Sequence, residues 1–288
     1  MTERDQTTGC NPRKTEKMGK FLHALDGDPE KTQTICCEPE HNAGIIAADS
    51  HPGFSRHVNE DAFGTYLSQN NGSRFLVVAD GIGGHGNGDL ASRLLVQLLL
   101  TFWREYQQKL PTDPEQVAKD LEQAVIRINQ KIYQVNLSSG NKLPMGSTLA
   151  LLAVLPEHVI TLHLGDSRIY RVRNHEIRQL TEDHSYISQF IRQGTLAPEK
   201  AKDHPLAHVI LRSVGPTEEC EPDVKVHERV AGDRFVVCSD GLTEHLLASD
   251  ILAEVEKAAD PDSAVKALLR ATLRDGARDN VTILCTYE

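Results

Sequence analysis

Phe75-Leu76-Val77-Val78-Ala79-Asp80-Gly81 is a short apolar run that ends in a carboxylate set in a glycine turn. Two more runs repeat the pattern: Ile160-Thr161-Leu162-His163-Leu164-Gly165-Asp166 and Phe235-Val236-Val237-Cys238-Ser239-Asp240-Gly241. A fourth, Asp279-Asn280-Val281-Thr282-Ile283-Leu284-Cys285, carries it in reverse. Runs of this length, rich in Val and Ile, predict buried strands. An Asp after a strand can simply start a turn. Four of them, together with Glu60-Asp61, ask for more than that. Carboxylates gathered near an interior repel one another, and burial disfavours their charged form. Bound cations remove both problems. With oxygen donors and no Cys/His cluster, the ion expected is Mg²⁺ or Mn²⁺ rather than zinc.

Outward from these runs the periodicity predicts an α+β chain. Strands are expected at Ile45–Ala48, Ala62–Leu67, Phe75–Ala79, Thr148–Leu155, Val159–Leu164, Arg168–Val172, Glu176–Leu180, Val224–Val230 and Arg234–Ser239, with a last one closing the chain. Arg173-Asn174-His175 reads as a tight hairpin turn. Apolar residues recur at helical spacing from Ala91 to Phe102 and from Val117 to Ile132, in stripes wide enough to lie on a sheet. Two further helices are expected at Ser249–Lys257 and Pro261–Leu273, the second with Asp260 as N-cap and Pro261 at its first position. Segment 183–215 reads as more helical and polar, with one stripe at Ile187, Phe190 and Ile191 and another from Ala207 to Leu211. Residues 1–42 read as a disordered polar tail, and the catalytic part as 43–288.

Composition narrows the class. The 288 residues are 39% hydrophobic with a formal net charge of −10. No Lys/Arg cluster forms a basic stripe, which argues against nucleic acid. Cys238 and Cys285 sit in strand-like runs as apolar fillers, and the adjacent Cys36-Cys37 reads as free thiols rather than a redox pair. No signal peptide or membrane span is expected, and the protein reads as cytoplasmic, reduced and monomeric.

Arg56-x-x-Asn59-Glu60-Asp61, Asp80-Gly81-Ile82-Gly83-Gly84-His85, Gly165-Asp166-Ser167-Arg168, Ser239-Asp240-Gly241 and Asp279-Asn280 stand in one order and spacing. From about Gly44 to Glu288 the chain resembles the metal-dependent protein phosphatases of the protein phosphatase 2C family, most of all their bacterial branch. The resemblance implies a four-layer α-β-β-α sandwich, two antiparallel sheets flanked by helix pairs, with 183–215 as a small flap. It implies hydrolysis of phosphoserine and phosphothreonine in proteins by a water bridged between two metal ions, without a covalent intermediate. The metal residues implied are Asp61, Asp80, Gly81, Asp166, Asp240 and Asp279. Asp80 is the bridge, Glu60 acts through water, and Asp166 with Asp240 holds a third, weaker ion.

Arg56 is expected to grip phosphate, its alternative being a salt bridge to Glu60 or Asp61. His85 is either the general acid or a loop-positioning residue, since Ile82 stands where many eukaryotic relatives carry the histidine. Gly88-Asp89 and Gly146-Ser147-Thr148 depart from the bacterial Gly-Glu and Gly-Thr-Thr without touching the ligands. The partners implied are proteins phosphorylated by a Ser/Thr kinase, and some relatives sit beside type VI secretion genes. A catalytically idle binding module would have lost a ligand, and a nucleotide hydrolase would be expected to show a glycine-rich nucleotide loop. Neither sign is present.

Overall fold

A computed structural model describes residues 45–288 apart from 84–86, 140–142, 198–199 and 201–203. All of these belong to one unit of the chain, Thr34–Glu288. The expected tail, and His85, lie outside the described residues.

Eleven strands and six α-helices follow one another among the described residues. They run β1 (Ile46–His51), β2 (Asp61–Leu67), β3 (Arg74–Ile82), α1 (Gly88–Tyr106), α2 (Pro114–Ser139), β4 (Gly146–Ser147), β5 (Leu149–Val154), β6 (His158–Leu164), β7 (Arg168–Arg173), β8 (Glu176–Gln179), α3 (Tyr186–Arg192), β9 (Asp223–Glu228), β10 (Arg234–Cys238), α4 (Asp240–Thr243), α5 (Ala248–Lys257), α6 (Pro261–Arg274) and β11 (Val281–Tyr287). A five-stranded sheet runs β1-β11-β10-β7-β8, and a six-stranded one runs β2-β3-β5-β6-β9 with β4 against the end of β3. Every pairing is antiparallel.

Side-chain alternation makes the four layers. Phe235 and Val237 of β10 join Leu76, Val78 and Leu152 between the sheets. Their neighbours Val236 and Cys238 point the other way, toward Ile251, Val255 and Leu268 on α5 and α6. Successive residues of a strand face opposite sides, so strands apolar at every position must be covered on both faces. On the second sheet, α1 packs on β2 and β3 while α2 packs on β6 and β9. Phe75 stacks on Trp103 of α1 with centroids 4.7 Å apart, worth about 0.5–1.5 kcal/mol beyond the area buried. Among the described residues no helix is long and apolar enough to cross a membrane.

Local signals account for the ends of elements. Asp260 accepts from the Ser263 N–H at 2.7 Å, with Pro261 opening α6. The β7–β8 hairpin turns on Asn174 and His175, both left-handed at φ 51° and 64°, the geometry of the two-residue hairpin turn.

Three expectations change. The stretch Ala207–Leu211 is not a helix: residues 205–208 turn, and Ile210 makes a lone bridge to Ser185. Five residues are too few to nucleate a helix unaided, and Val209 and Leu211, both exposed, find no layer to bury against. The strand from Phe75 does not stop at Ala79. Asp80, Gly81 and Ile82 remain in β3, because Gly81 pairs with Ser147 and Ile82 with Gly146. Asp240 opens a short helix, α4, rather than a simple turn.

Candidate active site

Strand register brings the first two carboxylates together. Asp61 of β2 is the direct partner of Asp80 of β3. Like charges on facing strand positions destabilise a sheet, so this pairing needs an outside reason. Asp61 is buried, and its Oδ2 accepts from Ser239 Oγ at 2.8 Å and Thr282 Oγ1 at 2.7 Å. Those hydroxyls belong to the other sheet's side of the site, so one carboxylate ties the two sheets together there.

Asp240 and Asp166 complete the group. Burial raises the pKa of Asp80 and of Asp240 well above the carboxylate range, and the remaining carboxylates push each further. For Asp80 these are Asp61, Asp240, Asp166 and Asp279. Burial alone is the largest cause for Asp61 and Asp166, each raised to about 6. Buried Oδ1 atoms of Asp61, Asp166 and Asp240 have no hydrogen-bond partner. Nearly all buried polar atoms are partnered in folded proteins, and an exception points to an ion or water. Bare carboxylate oxygens in one another's field form a hard-donor set that fits divalent cations.

Glycines let the backbone close around this set. A Cβ on Gly81 would lie 2.3 Å from the Gly88 carbonyl oxygen and 2.7 Å from that of Glu60. One on Gly241 would lie 2.0 Å from the Asn280 carbonyl oxygen. Close approach of backbones therefore demands glycine at both positions. Burial also raises Glu60, Arg56 opposing it.

Several supporting residues went unassigned from sequence. Asn280 accepts from the Glu60 N–H at 2.8 Å and donates to Pro52 and Val58 carbonyls at 3.0 and 3.1 Å, so it holds the loop that carries Arg56. Thr148 Oγ1 accepts the Asp80 N–H at 2.9 Å and lies 2.7 Å from Ser167 Oγ. Ser147 Oγ donates to the Asp80 carbonyl at 3.1 Å, so serine serves where the common pattern has threonine. Glu244 contributes to the upward push on Asp240. Its one-turn spacing after Asp240 was a usable signal. His208 Nδ1 sits 3.1 Å from Glu244 Oε1, and nothing in the sequence announced it.

Arg56 is half-exposed, and its Nη2 donates to Asp279 Oδ2 at 2.7 Å. The ion pair is thus with Asp279 rather than with Glu60 or Asp61. The Asp279 hydrogen bond is the main cause holding the Arg56 pKa above its ordinary value.

The flap joins this centre at the turn carrying Asp166. Arg168 grips Asp183 through Nε at 3.0 Å and Nη2 at 2.6 Å. The His184 N–H donates to the Gly165 carbonyl at 2.8 Å, and Gly165 N–H returns a bond to His184 Nδ1 at 3.3 Å. That bond leaves the ring proton on Nε2, which lies 3.3 Å from Asp223 Oδ2. Arg212, at the flap's far end, donates to the other oxygen of Asp223 at 3.2 Å. His163, His184 and Asp223 lie within metal-ligating reach of one another. Burial lowers the pKa of both histidines, His163 to about 4, so two neutral rings face the Asp223 carboxylate.

Known proteins are similar to this chain in sequence and in fold. A family model described as Protein phosphatase 2C matches residues 55–274. The serine/threonine phosphatase stp of Listeria monocytogenes serotype 4b is 32% identical over 232 residues, 81% of this chain and 91% of that one. The Streptococcus agalactiae serine/threonine phosphatase superposes with a TM-score of 0.78 at 32% identity, over 84% of this chain and 98% of that one. The catalytic domain of the phosphatase PstP in complex with two manganese ions gives 0.72 at 30% identity, over 84% and 97%.

Proposed function

This chain belongs to the protein phosphatase 2C family as a serine/threonine phosphatase, and we propose that it acts with two divalent cations, Mn²⁺ or Mg²⁺, held by Asp80, Gly81, Asp240 and Asp279. The observation that carries the reading is the set of buried, partnerless carboxylate oxygens on Asp61, Asp166 and Asp240 around the strongly raised Asp80. Divalent ions bound there would polarise phosphoryl oxygens and acidify a water shared between them.

The chain's own residues set the geometry. Asp80 is fixed by β3 and by both Thr148 and Ser147, so it is the natural bridge. Asp61 cannot swing, because Ser239 and Thr282 hold one of its oxygens. Glu60 and the free Asp61 oxygen would orient water at the metals' outer positions. Arg56 spends one nitrogen on Asp279 and, half-exposed, keeps other donors of its planar fork for a phosphate. His85 keeps its two proposed roles, proton donor or loop anchor. Phosphoproteins are the substrates, with a Ser/Thr kinase as the opposing activity.

Asp166 and Asp240 are proposed to share a third, weaker ion, since each offers a bare buried oxygen. Metal titration with turnover tests this. Asp166→Ala should leave two tight Mn²⁺ sites and an intact fold while cutting phosphopeptide turnover at least ~10-fold. Indistinguishable titration and turnover curves would make Asp166 a turn residue only.

A further inference from the structure

A cavity of ≈ 600 Å³ opens beside the carboxylates, walled by Ile82 from β3, Leu164 from β6, Val209, Ile210 and Leu211 from the flap, and Pro216. Val209 and Leu211 are 37% and 43% exposed. Apolar side chains placed this way gain their full burial only when something apolar enters. The volume lies in the range that holds a small ligand or a short peptide stretch.

Its position says what enters. Ile82 stands two residues beyond Asp80 on the same strand, about 6.6 Å along it. That is the span of two residues of an extended peptide. His208 lines the same cavity and reaches Glu244 beside Asp240. Ligand atoms of His208, Asp240 and Glu244 lie within 4.8 Å of one another, so the cavity comes close to the carboxylates that would face the phosphorylated residue.

We propose that this cavity is a specificity pocket for the phosphoprotein substrate, receiving a Leu- or Ile-sized side chain about two residues from the phosphoserine or phosphothreonine. It rests on the phosphatase reading above. The flap's stretch 209–211 supplies three of the six apolar walls, and Arg212, the residue next to it, is tied to Asp223.

The experiment is a set of phosphothreonine peptides with one leucine moved from three residues before to three after the phosphorylated position, serine elsewhere. Turnover is measured with Mn²⁺, beside p-nitrophenyl phosphate, which has no flanking residues. Leucine two residues away, on one side, should raise kcat/KM about 10-fold over serine. Val209→Asp and Leu211→Asp should each erase that preference while keeping the p-nitrophenyl phosphate rate and the melting temperature. A flat leucine scan, or the same preference in both variants, overturns the proposal and leaves the cavity to a small molecule or a second copy of the chain. Failure of the phosphatase reading looks different: wild type would hydrolyse neither the peptides nor p-nitrophenyl phosphate, and the pocket would fall with it.

Discussion

The carboxylate end of the sandwich and the flap beside it are built on opposite terms. At the carboxylate end, Asp61 and Asp80 sit on paired strands buried on both faces, and Asp240 and Asp279 flank the ends of two adjacent strands. Each position is over-determined by a ladder, a hydroxyl or a glycine contact. Among the described residues the flap has one helix of two turns, α3, and its ends are held by separate contacts rather than a sheet ladder: Asp183 to Arg168, His184 to Gly165, Leu211 N–H to the His184 carbonyl at 2.7 Å, Val214 to Ser147, and the two arms of Asp223. Its apolar residues Val209 and Leu211 stay exposed. The rigid end can hold like charges together long enough for cations to bind them. The exposed apolar residues of the flap lie outside that rigid frame, and it is there that we propose substrates are chosen.

The largest effect should come from the rigid end. Asp80→Ala and Asp240→Ala should each lower phosphopeptide turnover by about 100-fold or more. The metal-free form should become more stable, because a buried charge repelled by its neighbours is gone. A gain of about 1 kcal/mol would raise melting by ~2–4 °C. Near-wild-type turnover of Asp80→Ala at saturating Mn²⁺ would refute the bridge.

A smaller effect should divide the two regions. Asp223→Ala removes a contact at each end of the flap and should cost about 5–10-fold in kcat/KM on phosphopeptides. The rate on p-nitrophenyl phosphate should hold within ~2-fold. Equal losses on both substrates would mean that Asp223 serves the Asp166 turn more than the flap.

Arg56→Ala should raise KM for phosphopeptide about 5-fold and lower kcat less, since grip on the phosphate is lost while the carboxylates remain. An unchanged KM would leave Arg56 as the partner of Asp279 alone. The smallest change is expected from starting the chain near Asn42, because every proposed ligand lies beyond it. Activity on a small phosphopeptide should stay within ~2-fold, and loss of folding would move the domain boundary.

What could be read beforehand follows the same division. Asp80, Asp166, Asp240 and Asp279 were visible because each ends or begins a Val/Ile-rich run, and such runs have few alternatives to a buried strand. The facing of Asp61 and Asp80 was not visible, since register is decided by partners distant in sequence. Thr148, Ser167 and Asn280 carry no charge signal, and their roles emerge only once strands stack. The flap was least legible. Ala207–Leu211 has helical spacing but is short and has no sheet to cover it, so tertiary context decided against the helix. His208 and Asp223 reach their partners across long loops that no local pattern predicts.

The buried carboxylates exist, we propose, to hold the cations that do the work. Phosphopeptide hydrolysis should fall to background when EDTA removes metal and return in full when Mn²⁺ is added back, with melting rising on addition as bound ions offset the repulsion. Full activity after chelation and exhaustive dialysis would contradict the account.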